Sequence, residues 1–158
     1  MRLSRHFAGS ELITTSHGID RNQPSTAEWI NLTRLVCDVL EPLRLQTGPI
    51  RVNSGYRSPA VNAAVGGAKK SAHLEGRAAD IVALGRGVTT LQMMAILKNL
   101  DIPFDKAIFE FRGKNPWIHV QVRNVQREPR RLRLMSLASG RFEQFNPDDQ
   151  RLARWKDE

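Results

Sequence analysis

An α+β fold with a mainly antiparallel sheet is what this sequence predicts, and two patterns point to it. Strand-like and helix-like segments are interspersed along the chain. The strand-like segments are short, and tight turn signals link several of them as hairpins. The 158 residues fit one domain, large enough to bury a core. The expected organisation is therefore a single domain over 1–158, with residues 124–158 a basic C-terminal extension packed on it.

The elements follow in order. A helix should begin at Thr26, because Ser25 and Glu28 form an S-x-x-E capping box. Leu32, Leu35, Val36, Val39, Leu40 and Leu43 then recur as one apolar face, and Pro42 should end or kink the helix. Cys37, the single cysteine, is placed with that stripe as a small core residue; one cysteine allows no intrachain disulfide. Ile50 to Asn53 reads as a strand. Ser58-Pro59 reads as an N-cap with proline at the first helical position, and Gly66-Gly67 stops the short helix that follows. A strand is expected around Ala78 to Val82, then a helix from Thr90 to Leu100. Lys106 to Phe111 and Trp117 to Val122 alternate like strands about a loop at 113–116. The tail offers a second hairpin, Leu132 to Leu137 and Arg141 to Phe145 around Ser139-Gly140, and a short helix from Pro147 to Trp155. The alternation of Leu132, Leu134 and Phe142 suggests the face by which the tail packs.

Composition narrows the function classes. No apolar run reaches the ~20 residues of a membrane span. The first residues, Met1 to Phe7, are basic but lead into no apolar stretch, so no secretory signal peptide is expected. The formal net charge of +8 suggests attraction to a polyanion, such as nucleic acid, an anionic wall polymer or a membrane surface. Many arginines follow residue 122, among them Arg123, Arg127, Arg130, Arg131, Arg133, Arg141, Arg151 and Arg154; a solvated surface explains them equally well. With no recognised motif and little aromatic interleaving in the tail, nucleic acid is not the expected partner.

The chemistry lies in Ser71-Ala72-His73-Leu74-Glu75-Gly76-Arg77-Ala78-Ala79-Asp80 and in Trp117-Ile118-His119-Val120. Two histidines and a carboxylate make a catalytic zinc set with one position left for water. Zinc lowers the pKa of such a water to ~7. By spacing alone the same residues read more simply as a loop histidine, a turn or cap aspartate and a half-buried strand histidine. His6 and His17 lie outside any motif and read as surface residues.

The neighbouring residues add to this. Val52-Asn53-Ser54-Gly55-Tyr56-Arg57-Ser58-Pro59, Asn62 to Ala68, Ser71 to Asp80, Phe109-Glu110-Phe111 and Trp117 to Val120 occur in one order. That order resembles the M15 family of zinc peptidases, which includes D-Ala-D-Ala carboxypeptidases and phage endolysin peptidases. The likeness is strongest to small phage and prophage members and runs from about residue 3 to residue 123. It implies the Hedgehog/D,D-peptidase-like fold and Zn²⁺ held by His73, Asp80 and His119. It also implies that Arg57 engages the substrate carboxylate or carbonyl, a task that suits a guanidinium fork. Arg57 reads alternatively as a loop-capping surface arginine. Ser71 either donates a hydrogen bond in the site or is a plain turn residue.

The family's acidic residue, three positions before the second histidine, is Pro116 here. Strand alternation offers Glu110 instead. Phe109 and Phe111 share an apolar face with Ile118, Val120 and Val122, so Glu110 and His119 must share the opposite one. With a four-residue loop at 113–116, Glu110 would stand directly across from His119, with Cβ atoms about 5 Å apart. It could then serve as general base or only orient His119; Glu75 is a weaker candidate. Trp117 and Gln121 fall on the same face as cleft-lining, substrate-binding candidates, although Trp117 could simply cover the sheet.

These readings converge on a zinc-dependent peptidase that hydrolyses an amide bond in peptidoglycan stem peptides, D-Ala-D-Ala or L-Ala-D-Glu. The absence of a signal peptide points to a phage or prophage protein, made in the cytoplasm and acting on the cell wall after release. The alternative is a non-catalytic, zinc-containing binding module of the same fold, serving wall or virion attachment.

Overall fold

The computed structural model describes residues 1–15, 22–85, 87–136 and 141–156. His17 and the Ser139-Gly140 turn lie outside the described residues.

Helix α1 (Thr26–Leu35) opens on the expected capping box, with the Ser25 N–H donating to the Glu28 carboxylate at 2.5 Å. Pro42 does not end the helical run. The chain widens into a π turn at Val36–Leu40 and continues as α2 (Glu41–Thr47). Proline lacks an N–H and its ring crowds the carbonyl four residues back, and a locally wider turn relieves both defects. The apolar stripe from Leu32 to Leu43 is fully buried. Cys37 is not part of it: one step of about 100° beyond Val36 turns it outward, and its thiol is exposed beside the Leu3 carbonyl.

The sheet has six strands, β1 (Ile50–Ser54), β2 (Ala78–Ala83), β3 (Lys106–Arg112), β4 (Asn115–Gln121), β5 (Leu132–Ser136) and β6 (Phe142–Gln144), in the order β1-β2-β4-β3-β5-β6. Every pairing is antiparallel except β3 with β5. The fold is α+β with a mostly antiparallel sheet, as expected. Helix α3 (Pro59–Ala64) starts at the Ser58 cap, whose Oγ accepts from Val61 N–H. Helix α4 (Thr90–Leu97) starts at the Thr89 cap and is one turn shorter than the pattern suggested.

Alternation sorts the two faces of the sheet. Ala79 and Ile81 from β2, Ala107 and Phe109 from β3, and Ile118 and Val120 from β4 are buried against the helices. Asp80, Glu110, Trp117 and His119 take the other face. The tail adds Met135, Phe145, Leu152 and Trp155 to the same core. The Trp155 ring lies 5.6 Å from Phe109 and 4.6 Å from Phe111. Leu132, Leu134 and Phe142 are not the packing face, for Leu132 and Phe142 are exposed and Leu134 only half-buried. Met135, in the opposite phase, points inward.

Candidate metal centre and cleft

Local structure brings three distant segments to one spot. Strands β2 and β4 pair so that Asp80 lies directly opposite His119. His73 comes from a 3₁₀ turn, Ala72–Glu75, whose start is capped by Ser71 Oγ accepting from the His73 N–H at 3.4 Å. A bulge in β1 between Val52 and Ser54 sets Ser54 across from Asp80. The loop after it is clamped by Asn22, whose amide donates to the Tyr56 carbonyl at 2.9 Å and accepts from the Ser58 N–H at 2.7 Å. Gly55 is required here, since a Cβ would fall 2.3 Å from the Leu12 carbonyl oxygen.

The partners of each imidazole fix its tautomer. His73 is 2 % exposed and donates Nδ1–H to the Gly55 carbonyl at 2.6 Å, leaving Nε2 as a lone pair. His119 Nε2 lies 3.3 Å from Gln121 Oε1. The Gln121 amide has one orientation available, because its Nε2 donates to the acceptor-only carboxylate of Asp105 at 3.0 Å. Oε1 therefore faces His119, which donates from Nε2 and leaves Nδ1 bare. His73 Nε2, His119 Nδ1 and Asp80 Oδ1 then converge, with separations of 3.2, 3.2 and 3.0 Å.

Three acceptors pointed at one another repel unless a cation lies among them. Ligand atoms on a tetrahedral zinc, at bonds of about 2.05 Å, stand roughly 3.3 Å apart. The donor set and its spacing thus fit a tetrahedral ion, and these three residues could hold one. Burial pushes the His73 imidazole below its ordinary pKa, against the opposing pull of Asp80, and keeps it in the neutral, ligating form.

The triad sits in a cleft of about 300 Å³ that Arg57, Ser71, Glu110 and Trp117 also line. A larger groove of about 470 Å³ adjoins it and shares Trp117. Burial raises the Glu110 carboxyl above its ordinary pKa and Asp80 adds to this, while His119, Arg57 and Lys106 pull the other way.

Several expectations change in detail. Glu110 shares the His119 face but is not opposite it; its partner is Trp117, and Ile108 faces His119. The hairpin loop has two residues rather than four, with Arg112 paired to Asn115. Gly113, at φ 61, supplies the positive φ that a two-residue loop demands at its first position. Gln121 does not line the cleft: it is buried behind His119 and braces it. Arg57 donates from Nη2 to Asp80 Oδ2 and from Nε to Ser54 Oγ at 2.8 Å, so it holds the second oxygen of the candidate ligand. Ser71 caps the turn with its hydroxyl oxygen as acceptor and also lines the cleft. Glu75 pairs with Arg77 at 2.7 Å, outside the cleft lining. His6, taken for a plain surface residue, pairs with Glu41 at 2.6 Å.

The model of the peptidase M15 family matches residues 5–121. The chain belongs to that family. No curated protein matches it significantly. As an M15 chain it is a peptidase, and no helix among its described residues is long and apolar enough to cross a membrane. The M15 match stops at Gln121, while Asp105 inside it is gripped from outside: Arg130 donates to Asp105 at 2.9 and 2.7 Å.

Residue-by-residue reading missed Asn22, Ser54, the Gly55 carbonyl and Asp105. Strand parity had already set Gln121 on the His119 face two residues on, within reach of its ring, but Asp105 precedes β3 and carries no such signal. The Asn22 and Gly55 contacts arise from loop geometry that no periodicity encodes.

Proposed function

We propose that this M15 chain is a zinc peptidase that hydrolyses an amide bond in peptidoglycan stem peptides, with His73, Asp80 and His119 as ligands and Glu110 as general base. One observation carries the reading: three bare acceptor atoms at tetrahedral spacing on the floor of a cleft that also holds a half-buried carboxylate.

A zinc ion at this spot would act as a Lewis acid and lower the pKa of a bound water. The protein groups divide the remaining work. Glu110 is a diagonal neighbour of His119 across the β3–β4 ladder, about 7 Å away at Cβ. Its carboxylate reaches over the cleft to take a proton from the attacking water and pass it to the leaving amine. Pro116, where relatives carry an acid, leaves this role open, and Glu110 fills it from the neighbouring strand. Arg57 fixes Asp80 through Nη2, and among the described residues its Nη1 has no partner. That nitrogen is the group offered to a substrate carboxylate or carbonyl. Trp117 walls the cleft on the side of the adjoining groove and gives a peptide an apolar surface. A phage-type lysin acting on D-Ala-D-Ala or L-Ala-D-Glu bonds agrees with these features.

The test is metal analysis joined to mass analysis of muropeptides digested by the wild type and by Glu110→Gln. The expected result is one zinc per chain in both proteins, with hydrolysis slowed about 10²–10⁴-fold in the variant. Normal turnover by Glu110→Gln would remove Glu110 as base. A zinc-loaded wild type that releases no muropeptide would favour the binding-module reading.

A further inference from the structure

The β3–β4 hairpin and the tail meet at Asp105, which is 1 % exposed although it is an aspartate. Its backbone is tied on both sides, the N–H donating to the Gln121 carbonyl at 2.8 Å and the carbonyl accepting from Leu132 N–H at 3.0 Å. Its side chain accepts from Gln121 Nε2, from the Arg130 backbone N–H at 3.2 Å, and twice from the Arg130 guanidinium. The chain bends sharply to make this grip: Arg131 adopts φ 52, a value uncommon for a residue with a Cβ, just before β5 begins. So a buried carboxylate is saturated with donors, and one of those donors is the amide whose other end meets His119.

We infer that Arg130, Asp105 and Gln121 form a positioning relay that holds the His119 ring with its proton on Nε2 and Nδ1 turned to the metal centre. Arg130 fixes Asp105, an acceptor-only group. Asp105 dictates which end of the Gln121 amide faces it, and the remaining end, a carbonyl oxygen, accepts from His119. A flipped amide would set two donors, or two acceptors, against each other at both contacts. Partners of this kind orient metal-bound imidazoles and raise their basicity. The relay rests on the zinc reading of the cleft, and it makes the segment beyond residue 121 part of the metal site's construction.

The deciding variant is Gln121→Met, similar in length and without donor or acceptor. Zinc affinity is read by chelator competition, and the His119 Nε2 proton by ¹H–¹⁵N NMR of the zinc-loaded protein. Zinc affinity is expected to fall about 10–100-fold, and the His119 Nε2–H resonance, sheltered from exchange by Gln121 in the wild type, is expected to broaden or vanish. Asp105→Leu is expected to follow Gln121→Met, and Asp105→Asn, which keeps an acceptor, to stay nearer the wild type. Affinity within twofold of the wild type in Gln121→Met, or an unchanged Nε2–H resonance, overturns the relay. A wild type that takes up no zinc overturns the metal reading and the relay with it, whereas zinc held equally by wild type and Gln121→Met overturns the relay alone. Should Gln121→Met not fold, a zinc-loaded wild type whose His119 Nε2 proton exchanges as freely as an exposed imidazole's overturns it.

Discussion

His73 donates its ring proton to a backbone carbonyl, Gly55, at 2.6 Å, whereas His119 donates to a side chain, Gln121, at 3.3 Å. The two halves of the candidate metal centre are thus built on different principles. The His73 half is made of loops: the 3₁₀ turn after Ser71, and the Gly55 loop clamped by Asn22 and by the Arg57 N–H donating to the His73 carbonyl at 3.1 Å. Its orienting acceptor is main chain, so it is lost only when the loop itself shifts, as a Cβ at position 55 would force. The His119 half is a strand whose orienting groups are side chains, reaching from Gln121 through Asp105 to Arg130. The difference teaches where each half is vulnerable. One fails when loop geometry fails; the other fails one side chain at a time, and some of those side chains lie well outside the motif.

The largest expected effect tests whether both halves serve one ion. His73→Ala and His119→Ala should each abolish stoichiometric zinc, since two remaining ligands do not make a tight site. Metal content by mass spectrometry checks this. Retention of a full zinc by either variant would mean that the halves are not equal partners.

A smaller effect separates the tail's packing from its relay. Trp155 is 1 % exposed, meets Phe109 edge-to-face and Phe111 at a tilt beneath the β3–β4 half, and carries the Arg154 guanidinium 4.0 Å above its ring. Trp155→Ala should cost about 3–5 kcal/mol of unfolding free energy by denaturant titration. Zinc affinity of the folded fraction should stay near the wild type, because Asp105 and Arg130 are untouched. A loss of zinc affinity matching that of Gln121→Met would show that the tail supports His119 through packing and not through the relay.

The sheet faces and the Ser25/Glu28 capping box were legible in the sequence as local patterns, whereas the grouping of His73, Asp80 and His119 was legible only through the family resemblance, since spacing alone favoured no metal site. The β3–β4 register was legible only to parity. Apolar matching cannot distinguish a two-residue loop from a four-residue one, and both set Glu110 on the His119 face. Pro42 signalled an end or a kink on the assumption of α-helical hydrogen bonding, and a π turn at Val36–Leu40 was the other way to accommodate it. The tail's inward set, Met135, Phe145, Leu152 and Trp155, spans a strand, a loop and a 3₁₀ turn, so no single period reveals it. Its arginines looked like a charged surface; in the fold Arg130, Arg131 and Arg151 are spent on Asp105, Asp101, and Glu143 with Asp149.

The smallest effect is the most specific to the His119 half, and it appears in the pH dependence of stability. Burial alone would raise the Asp105 carboxyl, but hydrogen bonds from Arg130 and Gln121 outweigh it and hold its pKa at about 2, against an ordinary value of 3.8. A carboxylate whose folded-state pKa is depressed stabilises the fold above its ordinary value, and loses that contribution as pH falls through the folded value. The depression corresponds to about 2 kcal/mol, fully present above pH ~5, mostly lost by pH ~2 and gone near pH ~1. Urea titrations of zinc-free wild type and Asp105→Asn should therefore differ most at pH 7, still differ near pH 4, and converge toward pH 2. The sign follows from the partner: a neutral amide at 105 cannot gain from Arg130 what the carboxylate gains, and a protonated aspartate cannot either. A stability difference that stays constant from pH 7 to pH 2 would show that Asp105 contributes shape alone. The His119 half would then owe nothing to the charge on Asp105, and the contrast with the backbone-held His73 half would reduce to packing.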